Sequence, residues 1–360
     1  QMTGKPAAIK MIGGGRAQDP AVAEAALASG QCDFIFIGKG VLVQPDLVNL
    51  IEQDREEEIR PCLGCGVCID VQLQDGACAR CSGNAVLGNG DNDYTIPPAQ
   101  KSKKVIVVGG GVAGVEAARI AAVRGHQVSL YEKADKIGGQ IFYAAAPPHK
   151  ENMAPLIPYL EHQLEVKHVD VHLNEEITPE KILELKPDAV VCATGVLPST
   201  LPIPGFSRTI NAKEVLDGKE TGEQIVIIGG GSVGCETAEY LAEKGKKVTV
   251  IEMLDTMAEK MVNVARTILM GHLKGLGVTL LTSCKCLEIT DSSVACQDKE
   301  GTVHTIPADT VVAAVGDKAD NALYRALEGK VPELYNIGDS AKPDSIAASV
   351  SQGYYCGLGL

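Results

Sequence analysis

The sequence predicts an α/β fold containing two Rossmann-like units, preceded by a short run of further βα units and an irregular cysteine-rich segment. Three observations predict it. Two glycine-rich turns each follow an apolar run and open a helix, at Gly109 and Gly229. Strand-like and helix-like segments alternate over residues 1–55. Between these regions, residues 60–100 are rich in Cys, Gly, Asp and Asn and show little periodicity.

Residues 1–55 read strand, loop, helix, strand, loop, helix. Residues 8–12 form a short strand ending in Gly13-Gly14-Gly15-Arg16. Residues 20–29 have helical spacing. Residues 33–37 form a second, buried strand ending in Gly38-Lys39-Gly40, and residues 45–52 start another helix with proline near its first turn. Two βα units cannot close a sheet alone, so the region reads as a remnant of something larger. Residues 60–100 read as a segment that needs a metal to hold it.

The first Rossmann-like unit runs from residues 105–108 through Gly109-Gly110-Gly111-Val112-Ala113-Gly114 to a helix over 115–124 and a strand ending at Glu132. Gly109 allows the tight turn, Gly111 lets the backbone approach a pyrophosphate, and Gly114 lets helix and strand pack closely. A helix N-terminus then faces the phosphates, and Glu132 can accept hydrogen bonds from a ribose diol. The second unit repeats this with Gly229, Gly231, Gly234 and Glu252, 120 residues further on. A glutamate at this position disfavours a 2′-phosphate, so NAD(H) is expected there over NADP(H), with Lys246 and Lys247 as the opposing signal. The second unit reads as an insertion within the first. The expected division is 1–55, 56–100, 101–220 with 317–360 for the first unit, and 221–316 for the second.

Two further strand ends support the reading: residues 188–195, closing in Thr194-Gly195, and residues 335–339, closing in Gly338-Asp339. At this point the chain resembles the two-dinucleotide flavoprotein reductases. The resemblance implies FAD in the first unit and a nicotinamide cofactor in the second. Asp339 would hold the ribityl and phosphate region, and Gly138-Gly139-Gln140 would pass the pyrophosphate and ring. Disulfide reductases of this kind carry a redox cysteine pair beside the flavin. Residues 101–360 contain no Cys-x2-Cys or Cys-x4-Cys. Cys192 and Cys235 are expected to be inert packing, and electrons should leave the flavin by another route.

Cys62-x2-Cys65-x2-Cys68 with Cys81 offers four thiolates, the soft ligands of iron–sulfur clusters. Cys65, Cys68, Cys78 and Cys81 form a competing pair of knuckles for zinc. Arg60-Pro61-Cys62-Leu63-Gly64-Cys65-x2-Cys68 and Cys81-Ser82-Gly83-Asn84 resemble the linker of the 2,4-dienoyl-CoA reductase and trimethylamine dehydrogenase family. There a flavin barrel of the Old Yellow Enzyme type, a (β/α)8 fold, joins a 4Fe-4S segment and a two-dinucleotide module. The resemblance implies a 4Fe-4S cluster on Cys62, Cys65, Cys68 and Cys81, and FMN phosphate contacts from Gly15, Arg16, Gly38 and Lys39. Lys39 replaces the usual arginine and loses its bidentate fork. Ala85 stands where the family has proline. Most of the barrel, with the substrate pocket and any proton donor, is then expected outside these residues, in a protein nearly twice as long. No catalytic acid or base is assigned here.

Three functional readings follow. In the first, NADH reduces FAD and the cluster carries electrons to FMN, where a small-molecule substrate is reduced at an activated C=C bond. In the second, as in the family's amine dehydrogenases, flow is reversed and the first site holds ADP. A third reading is a non-catalytic nucleotide-binding module with structural zinc.

Composition fits an ordinary globular protein of two or three domains: 360 residues, 45% hydrophobic and 22% charged. A net charge of −13 argues against a nucleic-acid partner. Four Phe, nine Tyr and no Trp make a base-stacking platform a poor fit as well. No run of 18 apolar residues and no secretory signal are seen, so no membrane span is expected. Twelve cysteines in that context favour reduced thiols and a cytoplasmic location. Homo-oligomer formation stays open.

Overall fold

A computed structural model describes residues 9–15, 17–76, 78–88 and 94–360. Its N-terminal part contains β1 (Ile12–Gly13), α1 (Pro20–Ala28), β2 (Phe34–Ile35), α2 (Lys39–Val43) and α3 (Leu47–Glu52), with β1 and β2 paired in parallel. Asp19 caps α1 by accepting the Ala21 N–H, and Pro20 takes the first position, where its missing N–H costs nothing. Both strands are shorter than expected, and residues 1–8 lie outside the described residues. The second was expected to be buried, yet Phe34 and Phe36 are 56% and 63% exposed. A parallel pair is buried only where helices cover both faces, and α1 covers part of this one. The helix expected over 45–52 starts at Leu47, and α2 precedes it. A proline drives the residue before it out of the helical region, and Gln44 sits at φ −136°, ψ 90° between the two.

The segment over 60–100 was expected to be irregular, but it contains α4 (Val67–Asp75). This helix lies between Gly66 and Gly76, at φ 80° and 60°. Its apolar residues Val67, Ile69, Val71 and Leu73 alternate with period two, a strand-like pattern that hides a helix. Ile69 and Leu73 accordingly face solvent.

The first unit follows as β3 (Lys104–Val108), α5 (Val112–Val123), β4 (Gln127–Tyr131), α6 (Ile141–Ala145), α7 (Leu156–Val166), β5 (Asp170–His172), α8 (Pro179–Leu185), β6 (Ala189–Cys192) and β7 (Val196–Pro198). Next come β8 (Ile210–Asn211), α9 (Ala212–Leu216), β9 (Gln224–Ile228), α10 (Ser232–Glu243), β10 (Lys247–Ile251), α11 (Asn263–Gly275) and β11 (Thr279–Leu281). The chain continues through β12 (Lys285–Ile289), β13 (Ser293–Gln297), β14 (Val303–Pro307), β15 (Thr310–Ala313), β16 (Asp317–Ala319), α12 (Ala322–Leu327), β17 (Glu333–Asn336) and α13 (Ile346–Gly359). Helix α5 starts three residues before the expected Val115, directly on the glycine turn.

Two five-stranded sheets result, ordered β17-β6-β3-β4-β5 and β11-β10-β9-β15-β8, with parallel neighbours throughout. Strands β12, β13 and β14 form an antiparallel sheet of their own. The chain leaves the first sheet through β7 and returns through β16, and these two pair antiparallel. Strand β17 then rejoins the first sheet beside β6. The second sheet includes β8, so its strands begin before residue 221, where that unit was expected to start. A two-residue strand carries no periodic signal to mark it.

Both sheets have continuous apolar centres. Val105, Ile106, Val107, Val190 and Val191 are fully buried in the first, as are Val226 and Ile227 in the second. Each such side chain contributes about 1.5–3 kcal/mol relative to exposure. The order 5-4-3-6-17 places a switch in direction at β3, whose C-terminal end leads into the first glycine turn. Ligands of open α/β sheets bind at such a point.

Candidate nucleotide and cluster sites

At the first turn, Gly109 has φ 114°, and a Cβ there would lie 2.2 Å from the Ala193 carbonyl oxygen. Only glycine can both take this left-handed conformation and sit against the end of β6. A Cβ on Gly114 would lie 2.0 Å from the Gly109 oxygen, so α5 can approach the turn only because this residue has none. Around Gly111 the space is open: a Cβ would meet nothing within 4 Å. That space faces the N-terminus of α5, where free N–H groups favour an anion.

The other segments singled out in sequence converge here. A Cβ on Gly139 would lie 3.0 Å from the Gly111 Cα, and one on Gly338 would lie 2.6 Å from the Ala113 Cβ. Gln140 Nε2 donates to Asp339 Oδ2 at 2.7 Å. Asp339 also accepts the Asp344 N–H at 3.1 Å. Burial raises the Asp339 pKa, opposed by the bonds from Asp344 and Gln140 and by Lys213. Thr194 donates to the Asp320 carbonyl, and the Asp320 N–H donates to the Gly195 carbonyl at 3.0 Å. Glu132 Oε2 accepts the Gly110 N–H at 2.6 Å and Oε1 accepts the Ala134 N–H at 2.8 Å. The strand expected over 335–339 ends at Asn336; Gly338–Ser340 form a 3-10 turn that presents Asp339.

The second turn repeats this arrangement. Cβ atoms on Gly229 and Gly234 would lie 2.3 Å from the Ala314 oxygen and 1.9 Å from the Gly229 oxygen, and Gly231 again faces open space. Glu252 Oε2 accepts the Gly230 N–H at 2.7 Å and Oε1 accepts the Leu254 N–H at 2.9 Å. Lys246 and Lys247 lie at the far end of this sheet. Lys247 opens β10 in register with Gln224, and Lys246 pairs with Glu223 at 2.6 Å. Five strand steps separate Lys247 from Glu252, about 16 Å.

Cys62, Cys65, Cys68 and Cys81 line one small cavity together with Lys39, Leu42, Leu63, Gly66 and Gly83. Cys78 is exposed and is not among its lining residues. The cavity therefore collects the quartet of the cluster reading, not the two-knuckle quartet. A zinc tetrahedron would bring sulfurs within about 3.8 Å of one another. Among the described residues, the group of three or more His, Cys, Asp and Glu side chains with ligand atoms within 4.8 Å is His149, Glu239 and His272, not the cysteines. The Gly83 N–H donates to Cys81 Sγ at 3.3 Å, the kind of bond that stabilises sulfur bearing negative charge. Burial pushes the Cys81 thiol up to about 11, so it takes a metal to hold it as thiolate near neutral pH.

This cavity touches both of its neighbours. Leu63 belongs to the core of the first unit, and Cys65 packs against that core. On the other side, Lys39 and Leu42 come from α2, and Asn84 Nδ2 donates to the Leu42 carbonyl at 2.9 Å. Gly15 and Gly38 were expected to hold a phosphate with Lys39. Gly15 has φ 99°, Gly38 precedes α2, and the ring of Phe36 lies against Gly14 and Gly38. Arg16 lies outside the described residues.

Sequence reasoning noted Arg60 only as part of a motif. It is a buried clamp. Its guanidinium donates to Glu116 on α5 at 2.9 Å, to the Tyr159 hydroxyl on α7 at 3.1 Å and to the Gly83 carbonyl. Arg119 reaches the same carboxylate at 2.8 Å. Burial would raise the Glu116 pKa, but Arg119 and Arg60 outweigh it and hold the carboxyl down at about 2. The clamp fixes the cysteine segment on the first unit. Cys192 and Cys235 are buried, and burial pushes each thiol up to about 12, as inert packing requires. No described helix is long and apolar enough to cross a membrane.

Residues 103–353 match the family described as pyridine nucleotide-disulphide oxidoreductase. The chain is 39% identical over 355 residues to an NADH oxidase of Thermoanaerobacter brockii, covering 96% of this chain and 54% of that protein. It is 34% identical over 350 residues to a cinnamate reductase of Clostridium sporogenes, covering 96% and 52%. A solved 2-naphthoyl-CoA reductase in complex with 2-naphthoyl-CoA superposes with a TM-score of 0.94 at 35% identity, covering 98% of this chain and 54% of that one. The chain thus spans about half the length of the relatives it matches.

Proposed function

The chain belongs to the pyridine nucleotide-disulphide oxidoreductase family, a flavin- and NAD-dependent oxidoreductase module, and from that premise we propose that it delivers electrons from NADH, through FAD and a 4Fe-4S cluster, to FMN in an enoate- or enoyl-CoA-type reductase barrel. The observation that carries the proposal is the position of the cysteine cavity, with Leu63 in the core of the first unit and Lys39 and Leu42 of α2 on its other side. A cluster held there would touch both the FAD unit and the segment proposed to hold FMN.

The residues divide the work. Gly109, Gly111 and Gly114 open a cradle for the FAD pyrophosphate at the N-terminus of α5. Gly139, Gln140, Thr194, Gly195, Gly338 and Asp339 would border the flavin, and Glu132, which holds the turn through Gly110, would accept from the adenosine ribose. Gly229, Gly231, Gly234 and Glu252 do the same for NADH. The remoteness of Lys246 and Lys247 from Glu252 supports NADH over NADPH. Cys62, Cys65, Cys68 and Cys81 would hold the cluster. Gly15, Arg16, Gly38 and Lys39 would hold the FMN phosphate. When bound, FAD accepts a hydride from NADH, and the cluster passes single electrons. The chain's own contribution is binding, distance and electrostatics, and it assigns no general acid or base. The relatives' names support a conjugated C=C or thioester-activated substrate for the whole protein.

The test is anaerobic purification followed by denaturation, with the released nucleotide identified and iron and zinc measured. FAD with about four irons per chain supports the proposal. ADP in place of FAD would transfer the chain to the amine-dehydrogenase reading, and stoichiometric zinc without iron would reduce it to a non-catalytic module.

A further inference from the structure

We propose that His149, Glu239 and His272, with Glu243 beside them, form a site for a divalent transition-metal ion of the zinc class that staples the two dinucleotide-binding units together. Their ligand atoms lie within 4.8 Å of one another for the first three. They come from different units. His149 lies between α6 and α7 of the first unit. Glu239 and Glu243 are one turn apart on α10, so they face the same way. His272 is in the last turn of α11.

The local geometry is that of a ligand set. His272 Nδ1 is 2.7 Å from Glu239 Oε1, and His149 Nε2 is 3.5 Å from Glu243 Oε1. The two imidazole centroids are 5.0 Å apart. Glu239 is 3% exposed, a buried carboxylate turned toward the pair. His149 has φ 62°, a left-handed conformation that a non-glycine side chain adopts at a cost. Its segment is held in place by the His149 N–H to Glu151 at 3.2 Å and by Lys150 to Glu236 on α10 at 2.6 Å. Glu236, Glu239 and Glu243 outnumber Lys150, so the local charge favours a cation. Two imidazoles and a carboxylate suit zinc, cobalt, nickel and copper, and Glu243 can close a tetrahedron. All four residues sit away from the glycine turns, since α10 meets its turn at Ser232 and the ligands lie near its other end.

The test uses the full chain with its cysteine site loaded and Cys78→Ser as background. Calorimetric titration with Zn2+ should show one site per chain. A Co2+ difference spectrum should show d–d bands without a thiolate charge-transfer band. His149→Ala and His272→Ala should each weaken binding by about 100-fold or more, beyond the loss typical of an outer-shell change. Zn2+ should raise the thermal midpoint of the parent chain and not of His149→Ala, whose exposed side chain leaves the fold intact. No stoichiometric Zn2+ binding, or binding unchanged in both variants, would overturn the site. Binding lost in His272→Ala but kept in His149→Ala would overturn the staple.

Discussion

Gln140 Nε2 donates to Asp339 Oδ2 at 2.7 Å, joining segments that lie 199 residues apart in sequence. One side chain follows the double glycine at 138–139 and the other follows β17, and their neighbours Gly139 and Gly338 approach Gly111 and Ala113. Asp339→Ala removes the acceptor proposed for a bound flavin and frees Gln140. A charge-assisted hydrogen bond is worth about 1.5–3 kcal/mol, so FAD affinity should fall about 10- to 100-fold. Fluorescence titration of the flavin-free chain measures this, with circular dichroism unchanged.

Gly111 and Gly114, the second and third glycines of the motif, should separate binding from folding. Gly111 has φ −76°, which alanine adopts freely, and its Cβ would meet no protein atom. Gly111→Ala should leave the thermal midpoint of the flavin-free chain unchanged and abolish FAD retention. Gly114→Ala drives a methyl into the Gly109 carbonyl and should destabilise the same chain by more than about 3 kcal/mol. Equal thermal midpoints for the two variants would contradict this.

Glu252 holds the second turn by two backbone N–H groups. Glu252→Gln keeps an acceptor but removes the charge proposed to repel a 2′-phosphate. The ratio of NADPH to NADH dissociation constants should narrow by about tenfold, roughly 1.4 kcal/mol. The same change at Glu132 should leave that ratio alone.

The clamp of Arg60, Glu116 and Arg119 sets an acid limit. The folded-state pKa of Glu116 is depressed to about 2, below the ordinary carboxylate value of 4.5. Its stabilisation is present above about pH 4.5 and is lost as pH falls toward 2, an effect of about 3 kcal/mol. Glu116→Gln strands the buried Arg60 and the partly buried Arg119 and should cost about 3–5 kcal/mol at neutral pH. Urea titrations of both chains between pH 3 and 7 measure the difference, which should shrink toward low pH.

What was legible in sequence and what was not divides along physical lines. Both glycine turns and their acids were legible because the backbone geometry itself demands those residues at those spacings. The choice of Cys62 over Cys78 came from family resemblance; in the structure Cys62 lines the cavity with Cys65, Cys68 and Cys81, and Cys78 is exposed. Helix α4 was hidden because its apolar residues alternate. The exposure of Phe34 and Phe36 was hidden because burial depends on what covers a strand, which composition does not state. Arg60 and Glu116 are 56 residues apart and meet only through the fold. The same holds for His149, Glu239 and His272, whose sequence neighbours carry no metal-binding pattern.

The most direct measurement is an anaerobic NADH titration of the iron-loaded chain, followed at the flavin and cluster absorption bands and by electron paramagnetic resonance. Bleaching of the flavin, followed by a reduced-cluster signal that Cys62→Ser abolishes and Cys78→Ser retains, is the predicted result. A flavin that stays oxidised in excess NADH, or a cluster signal that depends on Cys78 instead of Cys62, would contradict it.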